Sequence, residues 1–283
     1  MSAQKSLIQQ RVERFDKIIS NFENVKITDL ICEHKIKESL FLRLQEACEK
    51  YFLSSKANDF INMTPNGYLV PKKEIEDIYT DVVARFRDVI SSLNISRLIS
   101  RWVLPVVRYK PGGGNINNEN RPSRSELPHA DSWVGWDKSC VLILIPILGD
   151  IKSNTISFFE MPSEIPEDWF NPCSFQDAQE KFVSQCKKID FSINLGCIYL
   201  ADISVVHQTD RKPGAKERVS IDIPLFINSK NLGNDYFGKL NTLSPNEIES
   251  IGELNKISCE QNMGEIMDGK NRSMTFKLIA IDV

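Results

Sequence analysis

The chain has 283 residues, 41% of them hydrophobic, 26% charged and 9% aromatic, with a formal net charge of −3. This is an ordinary globular composition, long enough for one large domain or two small ones, with no bulk basic field to recruit nucleic acid or an anionic membrane. The seven cysteines (Cys32, Cys48, Cys140, Cys173, Cys186, Cys197 and Cys259) are odd in number, scattered and never spaced C-x-x-C, which argues against a disulfide framework or a zinc–cysteine site.

Residues 1–101 read as a helical region packing on the core of the molecule. Leu7, Ile8, Val12, Phe15, Ile18, Ile19 and Phe22 recur at steps of three and four, so they share one helix face. The N-terminal segment is charged and has no apolar h-region, and no run is long enough to span a membrane. With reduced thiols, this leads us to expect a soluble cytoplasmic protein. A second helix is predicted over 38–52. A third follows Pro71, carrying Ile75, Ile78, Val82, Phe86, Val89 and Leu93 on one face. Glu74, Glu76 and Asp77 suit its positive end. His34, in a polar stretch of this region, is expected to face solvent.

The character changes near Trp102. Residues 103–109 are β-branched and read as a strand. A long polar loop comes next, Pro111-Gly112-Gly113-Gly114-Asn115 and on to Pro122. It lacks the Lys-Ser/Thr of a phosphate loop and is no G-x-G-x-x-G turn. A loop beside a site and a plain surface loop both fit it. Residues 140–146 form a strand buried on both faces, and 154–160 another. An insertion over 162–190 carries a short helix at about 175–186. Residues 197–203 lead into His207, and after a polar turn at Pro213-Gly214 the run 218–226 alternates as a strand. The remainder, 229–283, is read as a helix beginning near Ser244, capped by that serine with Pro245 in its first turn, and a final strand over 274–281. Helices first and strands afterwards give an α+β, mainly β expectation. The core over 102–228 is then a double-sheet jelly roll with the N-terminal helices on one sheet.

Two of the three histidines, His129 and His207, lie at the edges of strand-like runs. His129 and Asp131 are separated by one residue, so on a strand their side chains share a face. Two imidazoles and one carboxylate with open positions suit non-haem Fe(II). Arg218 and Ser220 share a face on the next strand. A guanidinium grips a carboxylate bidentately, and a hydroxyl beside it adds a donor.

His129-x-Asp131, a long interval, His207 and then Arg218-x-Ser220 resemble the Fe(II)/2-oxoglutarate-dependent dioxygenase superfamily, loosely its phytanoyl-CoA hydroxylase-like branch. The resemblance covers about residues 103–228. It implies a double-stranded β-helix (jelly roll), iron held by His129, Asp131 and His207, and the far carboxylate of 2-oxoglutarate held by Arg218 and Ser220. It also implies O2 as oxidant and succinate and carbon dioxide as products. Halogenating relatives lack the carboxylate ligand, so Asp131 favours hydroxylation or a related oxidation. The polar loops point to a small polar substrate. Tyr109, Asn117, Trp133 and Trp136 are candidates to line its pocket, and Arg211 and Lys212 compete with Arg218 for the anion. Two other readings use the same residues. One is a zinc hydrolase or cupin-like isomerase, which tolerates His-His-Asp ligation but has no need of a carboxylate clamp. The other is a non-enzymatic β-sandwich binding module in which the histidines are incidental.

Overall fold

In the computed structural model of the protein, the described residues are 5–56, 67–69, 71, 73–113 and 125–228, with the backbone of three short strands beyond them. The first helix, α1 (Leu7–Ile19), starts with a capping box in which Ser6 and Gln9 each satisfy the other's backbone N–H. Its buried face carries Phe15, Ile18 and Ile19, and also Arg11 and Arg14. The two arginines reach Asp202. Arg11 meets it with Nε–Oδ1 3.0 Å and Nη2–Oδ2 2.5 Å, and Arg14 lies 3.7 Å from the same carboxylate. Arg11 also donates to the Lys138 carbonyl at 2.9 Å, and Arg14 to that of Ser139.

The region before residue 101 is not all helix. Residues 25–35 form a hairpin, β1 (Val25–Thr28) and β2 (Ile31–Lys35), and β2 pairs in full with β8 (Cys197–Asp202), from Ile31↔Ala201 to Lys35↔Cys197. The stretch has no three-and-four stripe of its own, and sheet pairing with a distant strand decides its state. His34 therefore sits on a strand, half-buried, with its ring edge-on to Phe22 at 5.4 Å and Nδ1 on the Glu23 carbonyl.

The other two helices, α2 (Glu38–Lys56) and α3 (Glu76–Ser92), lie where their apolar stripes place them. Polar contacts help to pin them: Gln45 donates to the Ile147 carbonyl at 2.7 Å, Tyr51 to that of Leu69 at 3.0 Å, and Tyr79 to that of Pro105 at 3.0 Å. The strand expected over 103–109 is two strands, β3 (Ile99–Val103) and β4 (Val107–Lys110). Pro105, with no N–H to give to a ladder, stands between them. Both pair with β10 (Arg218–Ile227), β3 at Phe226 and Ile227, β4 from Arg218 to Ile221.

All strand pairings are antiparallel. With β5 (Cys140–Gly149), the main sheet runs β1-β2-β8-β5-β10-β3, and β4 also lies on β10. A smaller sheet holds β6 (Asn154–Glu160) between β7 (Lys187–Lys188) and β9 (His207–Arg211). On β10, Val219, Ile221, Ile223 and Leu225 join the large core with Phe15, Leu44 and Val82 of the three helices. The alternate residues face the other way. Phe226 joins a second cluster with Ala130, Trp133, Phe159 and Val206, so Arg218 and Ser220 share the face that looks toward the histidine-bearing segments.

The helix expected at about 175–186 is shorter, α4 (Phe175–Lys181), capped by Ser174 and followed by a 3-10 turn, Val183–Gln185. In the tail, residues 244–246 lie outside the described residues. Glu247–Ile248, where a helix was expected, is a strand (β11) paired with Val103 and Trp102. The final strand is present as β13 (Leu278–Ile281), paired with β12 (Lys256–Cys259). Among the described residues no helix is long and apolar enough to cross a membrane.

Gly149 lies opposite Arg218 with a φ of +93°, and a Cβ there would sit 2.2 Å from the Glu217 carbonyl oxygen. Gly149→Ala combines a left-handed φ with a backbone clash, so we expect a loss of about 1–3 kcal/mol, measurable by urea unfolding. A variant as stable as the parent would show that the strand end relaxes freely.

Candidate metal centre

His129 and His207 are held together by the backbone. They form an isolated antiparallel bridge in which His129 N–H donates to the His207 carbonyl (2.9 Å) and His207 N–H to that of His129 (2.8 Å). The rings are then 4.5 Å apart. Asp131 is not on a strand, contrary to the reading from spacing; it opens a 3-10 helix, Asp131–Val134. Ala130 between them is extended (φ −102°, ψ 142°), so the alternation over those two residues survives and brings the carboxylate back to the imidazoles.

Asp131 Oδ1 lies 3.9 Å from His129 Nε2 and 3.8 Å from His207 Nε2. One ligand atom from each of the three residues falls within 4.8 Å of the others. Metal–ligand bonds of about 2.1 Å place adjacent ligand atoms about 3 Å apart, so a small inward movement closes the set on an ion. Each Nδ1 faces a carbonyl two residues back, that of Leu127 at 2.8 Å and that of Val205 at 3.2 Å. This assigns the proton to Nδ1 and leaves both Nε2 lone pairs aimed at the carboxylate, the usual outer hydrogen bonding of a ligating histidine. Burial, then the field of His207, lowers the His129 pKa to about 4. The ring is thus neutral near pH 7 and free to ligate without first losing a proton.

A second feature faces the same interior. Arg218 is 0% exposed, and its three guanidinium nitrogens have no hydrogen-bond partner among the described residues. The Ser220 hydroxyl, two residues along the same face, is also buried and unpartnered among them. Burial lowers the Arg218 pKa to about 10, so it remains a cation near pH 7. An unpaired buried charge costs several kcal/mol. Two unsatisfied donors side by side describe a place for an anion with acceptor oxygens.

The register adds residues that sequence reading did not single out. Lys110 of β4 lies opposite Arg218, and Arg108 opposite Ser220. Arg108 pairs with Asp222 at 2.8 Å, and its charge acts on His129, Lys110 and Arg218 alike, which ties the anion place to the histidine pair. Only the alternation Arg108-Tyr109-Lys110 hinted at this, and it acquires meaning only with its partner strand known.

Of the remaining candidates, Tyr109 pairs with Val219, on the opposite face from Arg218. Its ring lies 5.1 Å from that of Phe52 and its hydroxyl donates to Glu217 at 2.9 Å. Trp133 is 2% exposed, stacks on Phe182, meets Trp169 edge-on, and donates its indole N–H to the Trp169 carbonyl at 2.7 Å. Trp136 is half-buried against Phe226. Asn117 lies outside the described residues. Arg211 is on β9 rather than in the turn and is engaged with Glu126 at 2.5 Å, while Lys212 is exposed. Arg211 is therefore already matched by a carboxylate and Lys212 stands in solvent, whereas Arg218 has no hydrogen-bond partner among the described residues.

No protein-family model and no curated protein matches the sequence. Among solved structures, the chain is similar to the non-heme alpha ketoglutarate dependent epimerase SnoN from nogalamycin biosynthesis (10% identity, TM-score 0.47, covering 78% of this chain and 83% of that one). It is also similar to EctD from S. alaskensis with bound Fe (13%, TM-score 0.41, 81% and 79%). A third is a Pseudomonas putida prolyl-4-hydroxylase (13%, TM-score 0.37, 81% and 98%).

Proposed function

We propose that the protein is an Fe(II)- and 2-oxoglutarate-dependent oxygenase of the jelly-roll type, oxidising a C–H bond of a small polar molecule, with hydroxylation as the outcome. The observation that carries this is the buried Arg218, with no hydrogen-bond partner among the described residues, and Ser220 beside it, facing the same interior as a histidine pair and a carboxylate. His129, Asp131 and His207 would hold the iron. Iron so held supplies, with O2 and 2-oxoglutarate, the oxidising power that ends in succinate, carbon dioxide and an oxidised substrate. Arg218 and Ser220 would hold the far carboxylate of the oxo-acid. The carbonyls of Leu127 and Val205 hold the two Nδ1 protons and keep the rings aimed. Arg218 and Ser220 are themselves fully buried, which excludes bulk water from the anion place and strengthens its charge interactions.

A zinc hydrolase built on the same ligands leaves Arg218 and Ser220 without a task, and a binding module leaves the histidine pair without one as well. The test is anaerobic addition of Fe(II) and 2-oxoglutarate to metal-free protein, following the visible metal-to-ligand charge-transfer band. We expect a band in the parent, and none in His207→Ala, whose metal affinity should fall at least a hundredfold with the fold retained. Tight zinc binding with no band would instead support the hydrolase reading.

A further inference from the structure

We propose that Lys110 is a second cationic arm of the anion place: from β4 its ammonium holds the same far carboxylate as Arg218 on β10, and the cosubstrate binds together with one proton. This rests on the 2-oxoglutarate reading above.

The geometry begins with register. Lys110 and Arg218 are directly opposite on neighbouring antiparallel strands, which puts side chains on one face with Cβ atoms about 5 Å apart. Both are buried, Lys110 being 2% exposed. Two like charges so placed repel, and burial removes the water that would screen them. The surrounding charges are already matched in pairs. Arg108, beside Lys110 on β4, has Asp222 of β10 at 2.8 Å. Arg211 of β9 has Glu126, in the segment before His129, at 2.5 Å. Among the described residues Lys110 meets only a hydroxyl, donating to Ser125 Oγ at 2.7 Å, and Arg218 has no partner. Among the described residues these two cations have no carboxylate paired with them, and one incoming carboxylate answers both.

The protonation state follows from the same surroundings. Desolvation first, then the charges of Arg108 and Arg218 against those of Glu126 and Asp222, lowers the Lys110 pKa to about 7. Without ligand the amine is therefore partly neutral near pH 7. A carboxylate arriving beside it favours the ammonium, and the neutral fraction takes its proton from the buffer. The sign is fixed. Below pH 7 the lysine is already charged and binding is proton-neutral. Above pH 7 each binding event takes up close to one proton, and affinity falls with rising pH.

The experiment is calorimetric titration of 2-oxoglutarate into Mn(II)-loaded protein from pH 6.5 to 8.5, in two buffers of different ionisation enthalpy. In the parent, uptake should approach one proton at the upper end. Lys110→Met should bind about ten- to a hundredfold more weakly, the loss expected for a hydrogen bond to a charged group, and without proton uptake. Lys110→Arg, a fixed cation, should retain most of the affinity and lose the pH dependence. Mn(II) binding and the ligand-free melting point of each variant report whether the fold is kept. Lys110→Met or Lys110→Arg with the parent's affinity and proton uptake overturns this proposal alone. A parent that binds Mn(II) but no 2-oxoglutarate overturns the cosubstrate reading and this proposal with it.

Discussion

Arg218→Met is expected to raise the melting temperature of the ligand-free protein while abolishing 2-oxoglutarate binding. The two effects have one cause. The guanidinium is fully buried and has no hydrogen-bond partner among the described residues, so its charge is held there without a direct partner. Replacing such a charge by an apolar side chain of similar length is stabilising by roughly 1–4 kcal/mol, or several degrees for a chain of this size. The same substitution removes the bidentate donor for the carboxylate, and we expect affinity to fall a hundredfold or more. Thermal unfolding and a binding titration on one preparation check both. A destabilised variant that still binds 2-oxoglutarate would make Arg218 a structural residue and remove the main support for the functional reading.

Asp202→Asn should have the largest effect on stability. Asp202 ends β8 and is buried with Arg11 and Arg14 of α1, and Arg11 grips it through both oxygens. Removing the charge leaves two buried guanidiniums against a neutral amide, and breaking a buried pair in this way costs about 3–5 kcal/mol. The carboxylate also accepts from Ser204, through its N–H at 3.0 Å and its hydroxyl at 2.6 Å, shaping the turn that delivers His207 to its bridge with His129. We therefore expect weaker metal binding along with the lower stability, read by urea unfolding and by Mn(II) titration. The double variant Arg11→Met/Asp202→Asn should recover part of the loss. If Asp202→Asn unfolds at the parent's urea concentration, the network is not what docks α1.

The positions of α1, α2 and α3 were readable because a three-and-four repeat of apolar residues is a local property of the chain. Long apolar or alternating runs likewise announced β5, β6, β8 and β10. The hairpin at 25–35 and the strand at Glu247–Ile248 were not legible, since each is a strand only by virtue of a distant partner, β8 in one case and β3 in the other. Pro105 was visible in the sequence, but a break in the strand follows only once β10 is seen pairing on both sides of it. Trp133 shows the converse error. An aromatic near a ligand pair looks like pocket wall until Trp169 and Phe182 are found packed on it.

By itself the sequence determined the candidate chemistry. Only three histidines exist, two of them with strand-edge settings, and His-x-Asp and Arg-x-Ser carry their geometry within three residues. Alternation of side chains along an extended backbone is enough for that. The tertiary structure alone decided how these pieces meet. It put the His129–His207 bridge in place, put Asp131 on a 3-10 turn, and set Lys110 opposite Arg218. The physical reason is that cross-strand register is fixed by burial over the whole sheet, and a shift of one residue would send every side chain of a strand to the other face.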